Sequence, residues 1–212
     1  MKIINKFLRK YFWLFIIGSL IGWVLEGIYS FLKYRKLINH SSVAIGPFNM
    51  IYGIGAIFFT MTLENFENSN IFLLFFISFI VGSLVEYITS FGMEKVLGFV
   101  AWDYSHKPFN LNGRICLGMS SLWGLLGIFW IKILYPLVKN FINSFDIFKN
   151  YNLMYAIIMF LIADAIFTYS AFKRAWKKEK GIKPCNGYER FLDKTFNKKY
   201  LTNMCNDSWG SK

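Results

Sequence analysis

Five stretches of the chain, 11–32, 46–63, 71–93, 115–138 and 151–172, are dominated by apolar residues and separated by shorter polar segments. Each is about 18 residues or longer, the length a helix needs to cross the hydrocarbon core of a bilayer. The pattern predicts an all-α, polytopic transmembrane helix bundle of about five spans within residues 1–172. A basic tail follows at 173–212. There Tyr188, Phe191, Leu192, Phe196, Tyr200, Leu201 and Met204 recur at helical spacing, with Arg190, Lys194, Lys198 and Lys199 mostly on other faces. That spacing reads as an amphipathic tail helix suited to an anionic membrane surface, with docking onto a partner protein as the alternative.

The apolar segments carry an internal repeat. Gly22, Glu26, Ser30 and Phe31 align with Gly82, Glu86, Ser90 and Phe91 sixty residues on. Tyr52, Gly53 and Phe58 echo Trp123, Gly124 and Phe129 seventy-one residues on. The difference is close to the length of a polar insertion around residues 102–113. The chain therefore reads as a duplicated two-helix unit plus one helix, with the insertion in the second copy. Two spans per unit give both copies one orientation and place Glu26 and Glu86 at similar depth. Gly46-Pro47 is expected to open the second helix, since proline suits a first turn.

The polar positions inside these spans carry the candidate chemistry. Gly18, Gly22 and Glu26 lie four apart on one helix face, as do Gly82, Glu86, Ser90 and Glu94. Small residues let a neighbouring helix approach, and a buried acid costs at least ~2.5 kcal/mol, so these faces should point at protein or a wet cavity. Between the third and fourth spans lies a long polar loop with Trp102, Asp103, Tyr104, Ser105, His106, Asn110, Asn112, Gly113 and Arg114. It belongs to the same side of the membrane as the ends of those faces. Glu26, Glu86, Glu94, Asp103, Asn112 and Arg114 are thus the substrate- or ion-binding candidates, with Trp102, Tyr104, Ser105 and Gly113 shaping the loop. Such an acid cluster can hold a cation, relay protons, or pair with Arg114 in a network that only fixes the loop. Asp164 in the fifth span is a further intramembrane acid without an evident local partner, and His40 is a lone histidine in a basic loop.

The blocks Trp102-Asp103-Tyr104-Ser105 and Phe109-Asn110-Leu111-Asn112-Gly113-Arg114-Ile115-Cys116-Leu117 point to a family. With the run 86–95, Gly22-Trp23 and Glu26, Gly46-Pro47, and Tyr52-Gly53-Ile54-Gly55, they resemble the bacterial multi-pass membrane proteins of the Putative ABC-transporter type IV family, across residues 22–136. Met50 stands where that family's pattern carries a second proline, and His40 stands near the place of an arginine. The resemblance implies a transporter permease in the cell membrane, the bacterial cytoplasmic membrane, served by a separate ATPase subunit.

Composition narrows the alternatives. At 55% hydrophobic and 20% aromatic residues, 212 positions hold one membrane domain and no separate soluble one. The net charge of +12 is concentrated in the tail, where eleven Lys/Arg face four Asp/Glu. Basic residues beside a span orient it and attract anionic lipid, and no nucleic-acid-binding motif accompanies them. The basic, then apolar, N-terminal segment is long enough to span and lacks a small-residue cleavage site, so it reads as a retained helix. Cys116, Cys185 and Cys205 form neither a metal-ligand spacing nor a disulfide framework, and no cofactor is implied. No phosphate-cradling G-x-x-x-x-G-K-[ST] loop is present, so an ATPase is a separate chain. The lipid bilayer, that ATPase and a second copy of the chain are the expected partners.

Counting Lys and Arg places twelve on the side of the polar loop and near tail and six on the other, which favours a cytoplasmic loop. The basic N-terminus pulls the other way, and a re-entrant second segment would let both ends be cytoplasmic. The alternative to transport is a membrane-embedded enzyme acting on a lipid or polyprenyl-phosphate substrate. There Glu86, Glu94 or Asp103 would serve as base or metal ligand and Arg114 would clamp the phosphate. A small scaffold whose acids tolerate amide replacement is the third reading.

Overall fold

The computed structural model describes residues 2–36, 41, 43–97, 100 and 102–196. His40 and the tail positions Lys198, Lys199, Tyr200, Leu201, Met204 and Cys205 lie outside them. The chain is an all-α bundle: α1 (Lys2–Tyr34), α2 (Met50–Leu63), α3 (Ile71–Leu97), α4 (Leu117–Phe129), α5 (Tyr135–Ser144), α6 (Tyr151–Glu179) and α7 (Gly187–Thr195), with a two-stranded hairpin of β1 (Asn110–Leu111) and β2 (Ile115–Cys116). Four helical segments, Phe7–Tyr34, Ile71–Val96, Leu117–Ser144 and Tyr151–Lys178, are long and apolar enough to cross a membrane. The segment Leu117–Ser144 joins α4 to α5 through one wide π-helical turn, Trp130–Leu134. Pro136 supplies the cause, because it has no N–H and its ring crowds the carbonyl four residues back.

The repeat read from the sequence recurs in the packing. In the first pair, Gly22 lies against Tyr52, Gly18 against Ala56 and Phe15 against Gly53. In the second, Gly82 lies against Trp123, Ser78 against Gly127 and Phe75 against Gly124. Each of these three contacts of α1 with α2 maps onto one of α3 with α4 by the same shifts of sixty and seventy-one. A methyl group on Gly22 would meet the Tyr52 side chain at 2.3 Å and one on Gly82 would meet Trp123 at 2.4 Å. Backbone approach this close is what the small residues provide.

The second helix differs from the expectation. Gly46 and Pro47 precede it in a bend, Gly46 at φ +103°, and α2 starts only at Met50 after Asn49. Its 14 residues are about 21 Å long at 1.5 Å per residue, short of a roughly 30 Å hydrocarbon core. The irregular backbone before it is satisfied by protein. Asn49 N–H donates to the Ser19 carbonyl at 3.1 Å, Ala44 N–H to Thr168 Oγ1 at 2.8 Å and Ile45 N–H to Asp164 Oδ1 at 3.0 Å. Non-helical backbone at membrane depth persists only with partners of this kind. Asp164, an isolated acid in the sequence, thus ties the bend to α6.

The main core gathers Leu14, Phe59, Leu63, Leu74, Trp123, Trp130 and Tyr135. Trp130 Nε1 donates to Thr60 Oγ1 at 2.9 Å within it. At the end of the bundle away from the hairpin, Glu64 meets Lys10 at 2.6 Å and also binds the Tyr135 hydroxyl, and Trp13 Nε1 donates to the Phe148 carbonyl at 2.9 Å. α7 folds back on α6: Leu192 and Phe196 pack on Ala171 and Phe172. Arg174, 3% exposed, donates through Nε and Nη2 to the two carboxylate oxygens of Asp193 at 3.0 and 2.8 Å. The tail helix thus spends one apolar side on the protein and leaves Tyr188 and Phe191 outward.

Candidate functional site

The site is built at the end of the bundle where α1, α2, α3 and α4 meet the hairpin. Glu86, 3% exposed, projects from α3 into the protein. Its Oε1 accepts from the Tyr104 hydroxyl at 3.0 Å and its Oε2 from Trp123 Nε1 at 3.0 Å. Glu26 Oε1, in the equivalent place on α1, accepts from the Tyr52 hydroxyl at 2.7 Å. The Tyr52 and Trp123 rings stand 5.6 Å apart, so the two halves meet in one chain of groups: Glu26, Tyr52, Trp123, Glu86, Tyr104. All three donors are neutral. Burial, reinforced by the adjacent Glu86 carboxylate, pushes the Tyr104 phenol well above its usual range, so it remains a donor.

The rest of the α3 stripe serves the hairpin. Arg114 ion-pairs with Glu94 and donates to Ser90 Oγ at 3.3 Å. Its guanidinium lies over the rings of Tyr87 and Phe91, 5.8 and 5.4 Å from their centroids. Asn112 Nδ2 donates to the Tyr87 hydroxyl at 2.9 Å. Asn112 and Gly113 form the hairpin turn, both left-handed at φ 53° and 67°, closed by Arg114 N–H on the Leu111 carbonyl at 3.0 Å. That is the type I′ geometry that Asn-Gly favours. Trp102 Nε1 donates to the Arg114 carbonyl at 2.9 Å, and Tyr104 N–H to the Gly113 carbonyl at 2.7 Å. Asp103 Oδ1 accepts Ser105 N–H at 2.8 Å and lies where a Gly113 methyl would come within 2.7 Å of it. Asn110 latches the loop by donating to the Ser105 and Lys107 carbonyls and accepting Gly113 N–H.

Of the sequence candidates, then, Glu26 and Glu86 share one aromatic-linked unit, while Glu94, Asp103, Asn112 and Arg114 sit in or against the hairpin. Tyr104 does more than shape the loop, since its hydroxyl reaches Glu86. Tyr52 and Trp123 are the members that the sequence argument missed as acid partners. Their signal was present, because they occupy matching places in the repeat that carries the two acids. The hairpin was missed too, although an Asn-Gly dipeptide is its usual signal. Among the described residues no group of three or more His, Cys, Asp or Glu is arranged to hold a metal ion.

Long apolar helices with acids turned inward define a helical membrane protein. The chain belongs to the Putative ABC-transporter type IV family, whose pattern matches residues 13–169. That span takes in both repeats, the hairpin and Asp164. No curated protein and no solved structure matches the chain.

Proposed function

We propose that this protein is the permease of an ABC-type transporter in the bacterial cytoplasmic membrane, energised by a separate ATPase subunit. Family membership supports the reading, and one observation carries it: of two repeat-related carboxylates, Glu86 is buried and Glu26 part-buried, and among the described residues their hydrogen-bond donors are all neutral. An intramembrane acid without a counter-charge is costly, and a substrate or ion pathway is what commonly justifies it. In this reading Glu26 and Glu86 form the substrate or ion site. Trp102, Asp103, Tyr104, Ser105, Asn112, Gly113 and Arg114, braced by Glu94, form a rigid hairpin that couples it to the ATPase. Phe109, 83% exposed beside the turn, is the side chain offered to that partner. The enzyme alternative is less favoured because Arg114, its phosphate clamp, is engaged with Glu94 and Ser90.

The test is purification of tagged protein in mild detergent with quantitative mass spectrometry. A P-loop ATPase at fixed stoichiometry is expected, reduced at least tenfold by Phe109→Ala and by Arg114→Ala while the Phe109→Ala protein melts as the parent does. A chain that emerges alone, or only as a homo-oligomer, removes the permease reading.

A further inference from the structure

Where α7 folds back on α6, the two helices leave a cavity of about 200 Å³ between them. Ser170, Lys173, Arg174 and Lys177 line it from α6, and Tyr188 and Glu189 from the first turn of α7. Its frame is fixed. The chain turns at Gly181, φ +74°, where Gly181 N–H donates to the Lys178 carbonyl and Ile182 N–H to the Lys177 carbonyl, both at 3.0 Å. Buried Arg174 donates through Nη1 to the Ile182 carbonyl at 3.0 Å and through Nη2 to Asp193 at 2.8 Å. Lys177 meets Glu189 at 2.8 Å. One water needs only about 10–15 Å³ of such space, so a phosphate group has ample room.

Three observations select the occupant. The first is charge: the lining carries three cations against the single carboxylate of Glu189. Arg174 and Lys177 are engaged with Asp193 and Glu189, so the surplus falls on Lys173. Among the described residues Lys173 has no acidic partner, and its ammonium stands 5.7 Å from the centroid of the Tyr169 ring. The second is depth. The apolar run 151–172 of α6 measures about 33 Å at about 1.5 Å per residue, close to a hydrocarbon core of roughly 30 Å. Lys173 therefore stands where the lipid headgroups begin. The third is the rim, where Tyr188 and Phe191, both about half exposed, turn outward from α7 as aromatics do at a membrane boundary. A free phosphate would use the cation alone, whereas a phospholipid uses the cation and the aromatic rim together. A zwitterionic headgroup would carry its own ammonium towards Lys173 and Lys177, so the net anionic one is favoured.

We propose that the cavity between α6 and α7 binds the phosphate of an anionic phospholipid, received by Lys173, with Tyr188 and Phe191 beside its acyl chains. This is a built site rather than the general attraction of a basic tail to an acidic surface, because one lysine at a defined cavity carries it. It stands apart from the permease reading and requires neither an ATPase nor a transported substrate.

The experiment is native mass spectrometry of the delipidated full chain in non-ionic detergent, titrated with dihexanoyl phosphatidylglycerol. Dihexanoyl phosphatidylcholine is the zwitterionic probe with the same chains, and inorganic phosphate is the soluble competitor. A saturable phosphatidylglycerol adduct is expected, with phosphatidylcholine at least about fivefold weaker and phosphate competing only at about tenfold or greater excess. Lys173→Gln should weaken the adduct about fivefold, the worth of one lysine beside an anionic headgroup. Lys107→Gln removes the same charge from the exposed hairpin loop and should leave binding unchanged. Ser170→Leu should abolish the adduct by filling the cavity while the protein melts as the parent does. Bound phosphatidylglycerol should also slow protease cleavage between Gly181 and Asn186 at least threefold in the parent and not in Lys173→Gln. Equal binding of the two lipids, or indifference to Ser170→Leu, overturns the proposal. Equal losses in Lys173→Gln and Lys107→Gln overturn it in favour of general surface charge. Displacement by phosphate at matched concentration overturns it in favour of a soluble anion.

Discussion

Glu86 and its repeat partner Glu26 show how one side chain acquires meaning from its neighbours. In the sequence both are acids at helical spacing from a glycine; in the structure each is held by an aromatic donor from the facing helix. Replacing Trp123 with phenylalanine keeps most of the volume and removes the donor to Glu86 Oε2, which should cost about 1–3 kcal/mol, read as lowered thermal stability in detergent. Glu86→Gln in that background should recover part of the loss, because an amide is cheaper to leave underpaired than a carboxylate. The glycines divide just as sharply. Gly82→Ala drives a methyl to 2.4 Å from Trp123 and should destabilise by about 1–3 kcal/mol. Gly92→Ala meets nothing within 4 Å and should be neutral or stabilising by up to about 1 kcal/mol. Both glycines sit on α3, so helix propensity alone predicts the same result for the two; the packing separates them.

Among the elements, the hairpin and α7 carry the clearest predictions. Gly113 needs a positive φ and touches Asp103, so Gly113→Val should dismantle the hairpin and release Tyr104 from Glu86. Hydrogen exchange at residues 102–116 should rise while α1 and α2 stay protected. α7 is held by charge as well as by Leu192. The Lys177 ammonium, with the Cys185 N–H, keeps the Glu189 carboxyl below the usual glutamate range. A depressed folded-state pKa means that its contribution is fully present above the ordinary value near ~4.3 and is lost as pH falls through the folded one. Docking of α7 should therefore be flat from neutral pH to about 5 and weaken below ~4, seen as increased protease cleavage between Gly181 and Asn186. Arg174→Met should produce that cleavage already at pH 7. The start of α6 at Tyr151 was readable from its apolar run, but the helix continues to Glu179, seven residues beyond the expected end at 172. Its return contact with α7 was not readable, because the Arg174–Asp193 pair depends on a turn and a capped restart at Asn186 rather than on periodicity.

At the scale of the molecule, the bend before α2, the hairpin and α7 lie at one end of the bundle, and Glu64, Glu67 and the Asp146–Lys149 turn lie at the other. With Cys205 replaced and Cys116 buried, Cys185 should react with a membrane-impermeant maleimide from the same side as His106→Cys. Glu67→Cys, placed in a Cys185→Ser background, should react from the opposite side. Labelling of His106→Cys and Cys185 from different sides would contradict the arrangement.

The sequence by itself established an all-α membrane bundle, its repeat and its acid stripes. Bilayer thickness imposes a length, and packing imposes a spacing of small residues, both of which are written along a single strand of text. It also contained the polar loop, whereas the hairpin at Asn112-Gly113 emerged only with the structure. The pairing of Glu26 with Tyr52 and of Glu86 with Trp123 and the task of Asp164 came only from the folded chain. Those depend on the register of one helix against another, fixed by contacts between residues 26 to 119 positions apart, which no local pattern specifies.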